Sequence, residues 1–296
     1  MQFQIIDTEA AYRRLLAAPD AASRAAIFRD EIYAPFAGLV RFFGGTGPES
    51  FAQWGMSPEL FADHARMAPV VDTLARHRAW ERAAEALERG RAAFAPFADR
   101  IPIDTVVFGL VLSDMRPIPL QRGYSGFGAI PGWIMTTYGD PDEDNLARVE
   151  AATVHELHHQ VLSACFPQRP IISTVGSYLV GEGLAESFAA ELYGEELTGF
   201  WVREFDERDL AEARRVIGAA LERSGFDVVR RYIFGDTIAR HMGIASPEGE
   251  RVPDFAGYAV GYRVVQAYLR RTGQTVAEAT FVPPEQLIAE SGFFQN

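Results

Sequence analysis

Val154-His155-Glu156-Leu157-His158-His159-Gln160 is the stretch from which we interpret the rest of the chain. In an α-helix, residues four apart lie on one face, so the imidazoles of His155 and His159 point towards one shared position. Glu156 lies about 100° further round the helix, beside that position. The pattern predicts two ligands of a single metal ion, with a neighbouring carboxylate that can act as a general base.

The flanking residues predict that the motif lies in a helix. Asp140-Pro141-Asp142-Glu143 offers an N-cap, a proline at the first helical position and acidic groups near the positive helix end. Apolar positions then recur every three or four residues until Phe166-Pro167, at Leu146, Val149, Thr153, Leu157, Val161 and Ala164. The alternative is a helix whose histidines are solvated or satisfied in the core. His158 lies off the ligand face, and we expect it to be a neighbouring or surface group.

Composition restricts the chemistry that the chain can perform. The 296 residues, 48% of them hydrophobic, can build one large domain or two small ones. The single cysteine, Cys165, excludes an internal disulfide and a cysteine-cluster metal site, which leaves histidine and carboxylate as metal ligands. All 28 basic residues are arginine, so lysine Schiff-base chemistry is excluded.

Charge and hydropathy indicate the kinds of partner. A net charge of −12 argues against a general nucleic-acid binder, which needs a positive surface for phosphates. The N-terminal residues Met1 to Asp7 lack the features of a signal peptide, and no later segment is a long uncharged apolar run. We therefore expect a cytoplasmic protein without a membrane segment.

The chain in order predicts an α+β, mainly helical fold with a small mixed sheet. Alanine-rich helical periodicity runs from Asp7 to Arg100 and predicts about four helices, with Pro69 dividing two of them. Thr105–Leu112 reads as a buried strand, and Ile134–Tyr138 as a strand that leads into the motif helix. We expect an N-terminal helical region over 1–100 and a second domain over 101–296. Within that domain, 101–166 would hold the sheet and motif helix, and 167–296 a helical half.

The residues just before the second strand are candidates for contact with a substrate. Gly132 and Trp133 would lie on an edge strand beside the metal, where the backbone of an extended peptide could pair. An ordinary bulge next to a core tryptophan explains the same residues.

A second helical pattern, from Thr174 to Gly194, carries two glutamates one turn apart. An enzymatic zinc site typically takes three protein ligands, and Glu182 is our choice for the third. Glu186, at i+4, would accept the free N–H of a ligating histidine and fix its tautomer. A solvated helix face is the alternative, but Gly181 and Gly183 lower helix stability and hint at close approach by another segment.

His155-Glu156-Leu157-His158-His159 followed by Glu182-Gly183-Leu184-Ala185-Glu186 resembles the gluzincin clan of zinc metallopeptidases. More narrowly, it resembles a bacterial family of predicted zinc-dependent proteases, over roughly two thirds of the chain. The resemblance implies a zincin-like fold, one Zn²⁺ held by His155, His159 and Glu182, and a peptide or protein substrate. It also implies Glu156 as catalytic base and Glu186 as an outer partner.

The sequence departs from the well-known gluzincin aminopeptidases in two respects. The gap between the second histidine and Glu182 is a few residues longer, which bears on the assignment of the third ligand. No glutamate stands near Gly128-Ala129-Ile130 to hold a free amino terminus, so an endopeptidase-like activity is favoured.

Three further residues could stabilise a developing oxyanion. Tyr258 and Tyr262 lie at i and i+4 on one helix face with glycines beside them, and core packing is the rival explanation. His241, in a short helical stretch, is the third, although a lone helical histidine is more often structural.

Together these patterns predict a hydrolase, a zinc metalloprotease in which Glu156 takes a proton from water activated by the metal. The alternative is a catalytically inactive metal-binding regulatory or interaction protein. The oligomeric state cannot be predicted from these patterns.

Overall fold

The computed structural model describes residues 1–167, 174–247 and 249–295. The strands are β1 (Gln2–Ile5), β2 (Thr105–Leu112), β3 (Tyr124–Phe127) and β4 (Trp133–Tyr138). The α-helices are α1 (Thr8–Ala17), α2 (Ala21–Ile27), α3 (Ala37–Phe42), α4 (His64–Arg76), α5 (Ala79–Ala93), α6 (Glu143–Leu146), α7 (Val149–Cys165), α8 (Val175–Tyr193), α9 (Phe200–Arg203), α10 (Leu210–Gly218), α11 (Phe226–Phe234), α12 (Asp236–His241), α13 (Ala256–Thr272), α14 (Val276–Ala279) and α15 (Pro284–Ser291).

Short 3-10 helices and one π-helix complete the secondary structure of the described residues. The 3-10 helices span Ala34–Phe36, Pro48–Trp54, Pro58–Ala62, Ala95–Arg100, Glu195–Leu197 and Glu207–Asp209, and the π-helix spans Phe28–Tyr33. With a sheet confined to four short strands, the described chain is mainly helical and α+β, as the sequence predicts.

The chain divides into two compact units. One consists of Met1–Arg91 and Ile103–Gln160, and the other of Ala92–Pro102 and Val161–Asn296, so helix α7 contributes residues to both. The domain boundaries expected from the sequence, an N-terminal helical region over 1–100 and a peptidase domain over 101–296, stay a prediction.

The first unit contains a mixed sheet with strand order β1-β2-β4-β3. Strands β1 and β4 both run parallel to β2, and β3 is antiparallel to β4. The predicted strand Thr105–Leu112 is confirmed, and the predicted strand at 134–138 begins one residue earlier, at Trp133. The two outer strands, β1 and β3, were not predicted from the sequence.

Buried polar contacts tie the N-terminal helices to this sheet. The Thr8 hydroxyl donates to the carbonyl of Leu110 (2.5 Å) and accepts from the indole N–H of Trp80 (2.8 Å). The backbone N–H of Leu112 donates to the Tyr12 hydroxyl at 2.9 Å. Thr8 and Tyr12 are both buried, so loss of these hydrogen bonds would leave polar groups without partners and destabilise the protein. The bonds therefore fix α1 against β2.

The prediction that Pro69 divides two helices is wrong, because Pro69 lies inside α4. Its missing N–H removes one bond to the carbonyl of Ala65. Both residues are exposed, so that carbonyl can bond to water instead. Buried residues on the opposite face hold the helix together across the proline: Met67, Val70, Val71 and Leu74.

In the second unit, helix α8 packs closely against α13. A Cβ built on Gly183 would lie 2.2 Å from the carbonyl oxygen of Gly261, and a Cβ on Gly261 would lie 2.3 Å from the carbonyl oxygen of Leu179. Only glycine permits backbones to approach so closely. The close approach hinted at by Gly183 is thus confirmed, and the neighbour is α13. No helix in the described part of the chain is both long enough and apolar enough to span a membrane.

Candidate metal centre

The motif helix α7 is positioned by the short helix α6 that precedes it. Asp142, and not Asp140 as predicted, is the N-cap of α6, where it forms a capping box with Asn145. The buried Asn145 amide also donates to the carbonyl oxygens of Arg122 (3.0 Å) and Asp140 (2.9 Å). The chain turns at 147–148, and α7 begins at Val149. The predicted apolar stripe is confirmed as buried at Leu146, Val149, Thr153, Leu157, Val161 and Ala164.

His155 and His159 face each other one turn apart on α7. Their Nε2 atoms are 3.0 Å apart, and their rings are nearly perpendicular, with centroids 4.7 Å apart. His155 is buried and His159 is half-buried. His158, which the motif leaves outside the ligand face, is fully buried, so it is a core residue and not a surface group.

Glu182 supplies the third candidate ligand from helix α8. One ligand atom from each of His155, His159 and Glu182 lies within 4.8 Å of the other two. Glu182 is only 5% exposed, so the alternative of a solvated helix face does not apply to it. A buried carboxylate requires compensation by a cation or hydrogen bonds.

The donor set fits zinc. Two imidazole nitrogens and one carboxylate oxygen are a ligand combination of enzymatic zinc sites, and bonds of about 2.1 Å place tetrahedral ligand atoms about 3.4 Å apart. The 3.0 Å between the histidine Nε2 atoms is close to that spacing.

Two glycines place the backbone of the first unit directly against Glu156. A Cβ on Gly126, in strand β3, would lie 2.2 Å from Glu156 Oε1, and a Cβ on Gly128 would lie 2.2 Å from the Glu156 carbonyl oxygen. Glu156 is 7% exposed, so its carboxylate is held in a narrow space beside the histidine pair. Sequence reasoning missed both glycines, although their i, i+2 spacing around Phe127 was visible.

Gln160, the residue after the motif, is a second group that the sequence analysis missed. Its side chain is fully buried, and its Nε2 donates to the carbonyl oxygens of Gly128 (2.5 Å), Ile130 (2.6 Å) and Trp133 (2.8 Å). Its Oε1 accepts from the backbone N–H of Gly132 at 2.7 Å. One amide therefore fastens the loop 128–133 to the motif helix.

The expectation that Gly132 and Trp133 lie on an edge strand is wrong, whereas contact of these residues with a substrate stays a prediction. Strand β4, which begins at Trp133, lies between β2 and β3. The carbonyl of Gly132 accepts from the Val107 N–H, and the N–H of Trp133 donates to the carbonyl of Ile130. The Gly132 N–H and the Trp133 carbonyl bond to the Gln160 side chain, so these backbone groups are used within the fold and not for pairing with a peptide.

Glu186, one turn beyond Glu182, is 1% exposed and accepts hydrogen bonds within the second unit. Its Oε2 accepts from the backbone N–H of Gly199 at 2.9 Å, and its Oε1 from the indole N–H of Trp201. Acceptance from a ligating histidine by Glu186 stays a prediction.

The three candidate oxyanion residues lie in different settings of the second unit. The Tyr262 hydroxyl donates to Glu195 Oε1 at 3.2 Å, and burial raises the pKa of this tyrosine well above its usual range. Tyr258 packs on Trp201, with ring centroids 5.1 Å apart. His241 is the last residue of α12 and is exposed. Their catalytic roles stay predictions.

Comparisons with known proteins identify the family of this chain. A family model described as "Predicted Zn-dependent protease (DUF2268)" matches residues 79–289, which include both histidines, Glu156 and Glu182. The chain is 42% identical over 197 residues to the uncharacterized protein YjfC of Bacillus subtilis (strain 168). That alignment covers 67% of this chain and 64% of YjfC. No solved structure matched the chain.

The family match spans most of the chain and contains the whole H-E-x-x-H helix together with the helix of the third candidate ligand. The chain therefore belongs to the family of predicted Zn-dependent proteases.

Proposed function

We propose that the protein is a gluzincin-type zinc metallopeptidase with a zincin-like fold. The observation that carries the proposal is that the ligand atoms of His155, His159 and Glu182 lie within 4.8 Å of one another, with the Glu156 carboxylate on the same helix. These three side chains would hold one Zn²⁺. When bound, zinc supplies Lewis acidity, which lowers the pKa of water and polarises a carbonyl.

Glu156 carries the proton transfers in this proposal. Its carboxylate accepts a proton from the attacking water and then gives it to the leaving amine of the peptide. Because Gly126 and Gly128 pack against this residue, it has little freedom to rotate away from the reacting water. Such positioning lowers the entropy cost of bringing the carboxylate into the geometry for proton transfer.

The outer edge of β3 is the proposed place for a peptide backbone. In the described part of the chain, β3 is the last strand on that side of the sheet, and its Gly126 lies against the Glu156 carboxylate. An extended peptide can pair with an exposed sheet edge. The absence of a glutamate in 128–130 still favours an endopeptidase-like activity in the proposal. Tyr258, Tyr262 and His241 remain the candidates for stabilising the oxyanion.

Replacement of the general base tests the proposal. The purified wild-type protein should carry one zinc per chain and cleave members of a mixed library of blocked peptides, as mass spectrometry would detect. Glu156→Gln should keep the zinc and lose cleavage by at least about 10²-fold, since a general base contributes about that much. His64→Ala, which removes an exposed histidine on α4, is the matched control and should change neither readout.

A catalytically inactive metal-binding regulator predicts a different result. In that case His155→Ala would lose zinc as in the enzyme, but the wild-type protein would cleave no peptide of the library. Cleavage that survives Glu156→Gln unchanged would remove the general-base assignment.

A further inference from the structure

The first unit presents a cluster of aromatic rings at its surface, formed by Phe42, Phe43, Trp54 and Phe127, which we call the aromatic shelf. Phe43 lies at its centre, with ring centroids 5.4 Å from Phe42, 5.7 Å from Trp54 and 5.5 Å from Phe127. All three contacts are edge-to-face. Phe42 is 58% exposed and Phe43 is 46% exposed. Grouped, exposed apolar side chains mark binding surfaces more often than scattered ones do.

The shelf adjoins the strand that contacts the general base. Phe127 is the last residue of β3, and the preceding residue, Gly126, lies against the Glu156 carboxylate. Successive residues of a strand point to opposite faces of the sheet. Gly126 therefore faces the motif helix, whereas Phe127 projects from the other face, where Phe43 meets it.

A peptide that paired with β3 would follow the same alternation. Its side chains would point in turn towards the Glu156 face and towards the face that carries the shelf. If one peptide residue points to the Glu156 face, the next residue of the peptide points to the opposite face. There its side chain would contact Phe127 and Phe43. Exposed aromatic rings offer apolar contact to a peptide side chain, and burial of a large apolar side chain against them favours binding.

We propose that the aromatic shelf is a substrate subsite that selects a large apolar side chain, such as Phe, Leu, Met or Trp, one residue away from the peptide side chains on the Glu156 face. The proposal rests on the peptidase function proposed above and adds the substrate class. The proposed occupant of the shelf is a peptide side chain and not a second copy of this protein.

The test compares peptide preference in shelf variants. The position of the preferred large apolar residue is first read from cleavage of a library of blocked peptides by the zinc-loaded wild-type protein. Two blocked peptides that differ only there, with Leu or Ala, are then compared. Phe43→Ala should lower kcat/KM for the Leu peptide about tenfold and leave that for the Ala peptide within about twofold.

The control is Phe226→Ala, which removes an equally exposed phenylalanine (58%) from helix α11. It should leave the ratio of the two kcat/KM values unchanged. Equal loss on both peptides in Phe43→Ala, or no loss on either, would overturn the shelf. So would a wild-type preference for small or charged residues at every position, or a wild-type dimer that Phe43→Ala converts to a monomer.

A peptide-binding experiment tests the subsite proposal independently of the peptidase proposal. A displayed peptide library is selected on zinc-loaded Glu156→Gln. Selected peptides should carry a large apolar residue, and their affinity should fall about tenfold in the Glu156→Gln/Phe43→Ala double variant but not with Phe226→Ala. If the wild-type protein cleaves nothing yet this binding pattern holds, the peptidase proposal fails and the shelf stands. If no peptide binds, the shelf is overturned.

Discussion

Gly183 in α8 and Gly261 in α13 meet so closely that a Cβ on Gly183 would lie 2.2 Å from the carbonyl oxygen of Gly261. Gly183 is the immediate neighbour of Glu182. The contact therefore fixes the turn of α8 that carries the proposed third metal ligand. Because the two backbones lie so close, we expect any side chain at Gly183 to change both the stability of the fold and the affinity for the metal.

Replacement of Gly183 by alanine should destabilise the protein. In an isolated helix the change would stabilise by up to about 1 kcal/mol. Here the added methyl would overlap a backbone carbonyl, and overpacking typically costs about 1–3 kcal/mol. We expect a net loss of about 1–2 kcal/mol in the free energy of unfolding, measured by urea denaturation, together with weaker zinc affinity.

Gly181→Ala is the matched control on the same helix. Among the described residues, a Cβ on Gly181 would meet only Leu162 Cδ2, at an ordinary 3.4 Å. This variant should be as stable as the wild type or more stable. If the two alanine variants lose the same stability, close packing between α8 and α13 is not the reason that Gly183 is required.

Gln160→Leu should impair both stability and catalysis. Leucine keeps much of the volume but removes four hydrogen bonds, which leaves polar backbone groups of the loop 128–133 without their donor or acceptor. Each buried group left in this way costs about 1–3 kcal/mol. We expect the free energy of unfolding to fall by about 3 kcal/mol or more.

The effect of this change on activity should appear in kcat. The loop carries Gly128, which packs on the Glu156 backbone, so a loosened loop should lower kcat more than it changes zinc content. Gln286→Leu, an exposed glutamine on α15, should shift the free energy of unfolding by no more than about 0.5 kcal/mol. Unchanged stability in Gln160→Leu would contradict the role of this amide.

The parts of this fold that the sequence predicts are those set by local pattern. The apolar stripe of α7, the histidine spacing and the start of α8 near Thr174 all depend on residues within a few turns. Strands β1 and β3 are only four residues each, and their place comes from pairing with β2 and β4. β1 pairs with residues about a hundred positions away, a relationship that periodicity cannot reveal.

The same distinction explains the errors at the site. The histidine pair and Glu156 lie in one helix, so their relative placement follows from helix geometry. Gly132 and Trp133 were expected on an edge strand because no local sequence pattern indicated that β3 pairs with the outer side of β4. Gln160 was overlooked because its partners are about thirty residues away in a loop without a regular pattern.

Removal of zinc should lower the thermal stability of the protein. A ligand that binds only the folded state adds about 2.7 kcal/mol when present at a hundred times its dissociation constant. A chelator should therefore lower Tm, and added Zn²⁺ should restore it. Glu182→Gln should shrink this zinc-dependent shift, whereas Glu285→Gln, at an exposed position on α15, should leave it unchanged. A full shift in Glu182→Gln would exclude Glu182 as a ligand.

A buried ion network in the second unit should make stability depend on acid pH. The Arg231 guanidinium, 3% exposed, lies 2.8 Å from Asp236 Oδ1 and 3.1 Å from Glu250 Oε2. Burial alone would raise the pKa of both carboxyl groups. Hydrogen bonds, from Val252 and Arg231 to Asp236 and from Tyr232 and Arg231 to Glu250, outweigh it and hold each pKa below its ordinary value.

The lowered pKa values set the direction of the pH effect. A carboxyl group whose folded-state pKa lies below its unfolded value of about 4 stabilises the fold above that pH, and this contribution is lost as the pH falls through the folded-state pKa. Asp236→Asn should thus be less stable than the wild type at pH 7 and lose less stability between pH 7 and pH 3. Urea denaturation at both pH values measures this difference. Asp72→Asn, at a position 60% exposed, should follow the wild-type curve. A loss in Asp236→Asn as steep as that of the wild type would show that the Arg231 network does not control acid unfolding.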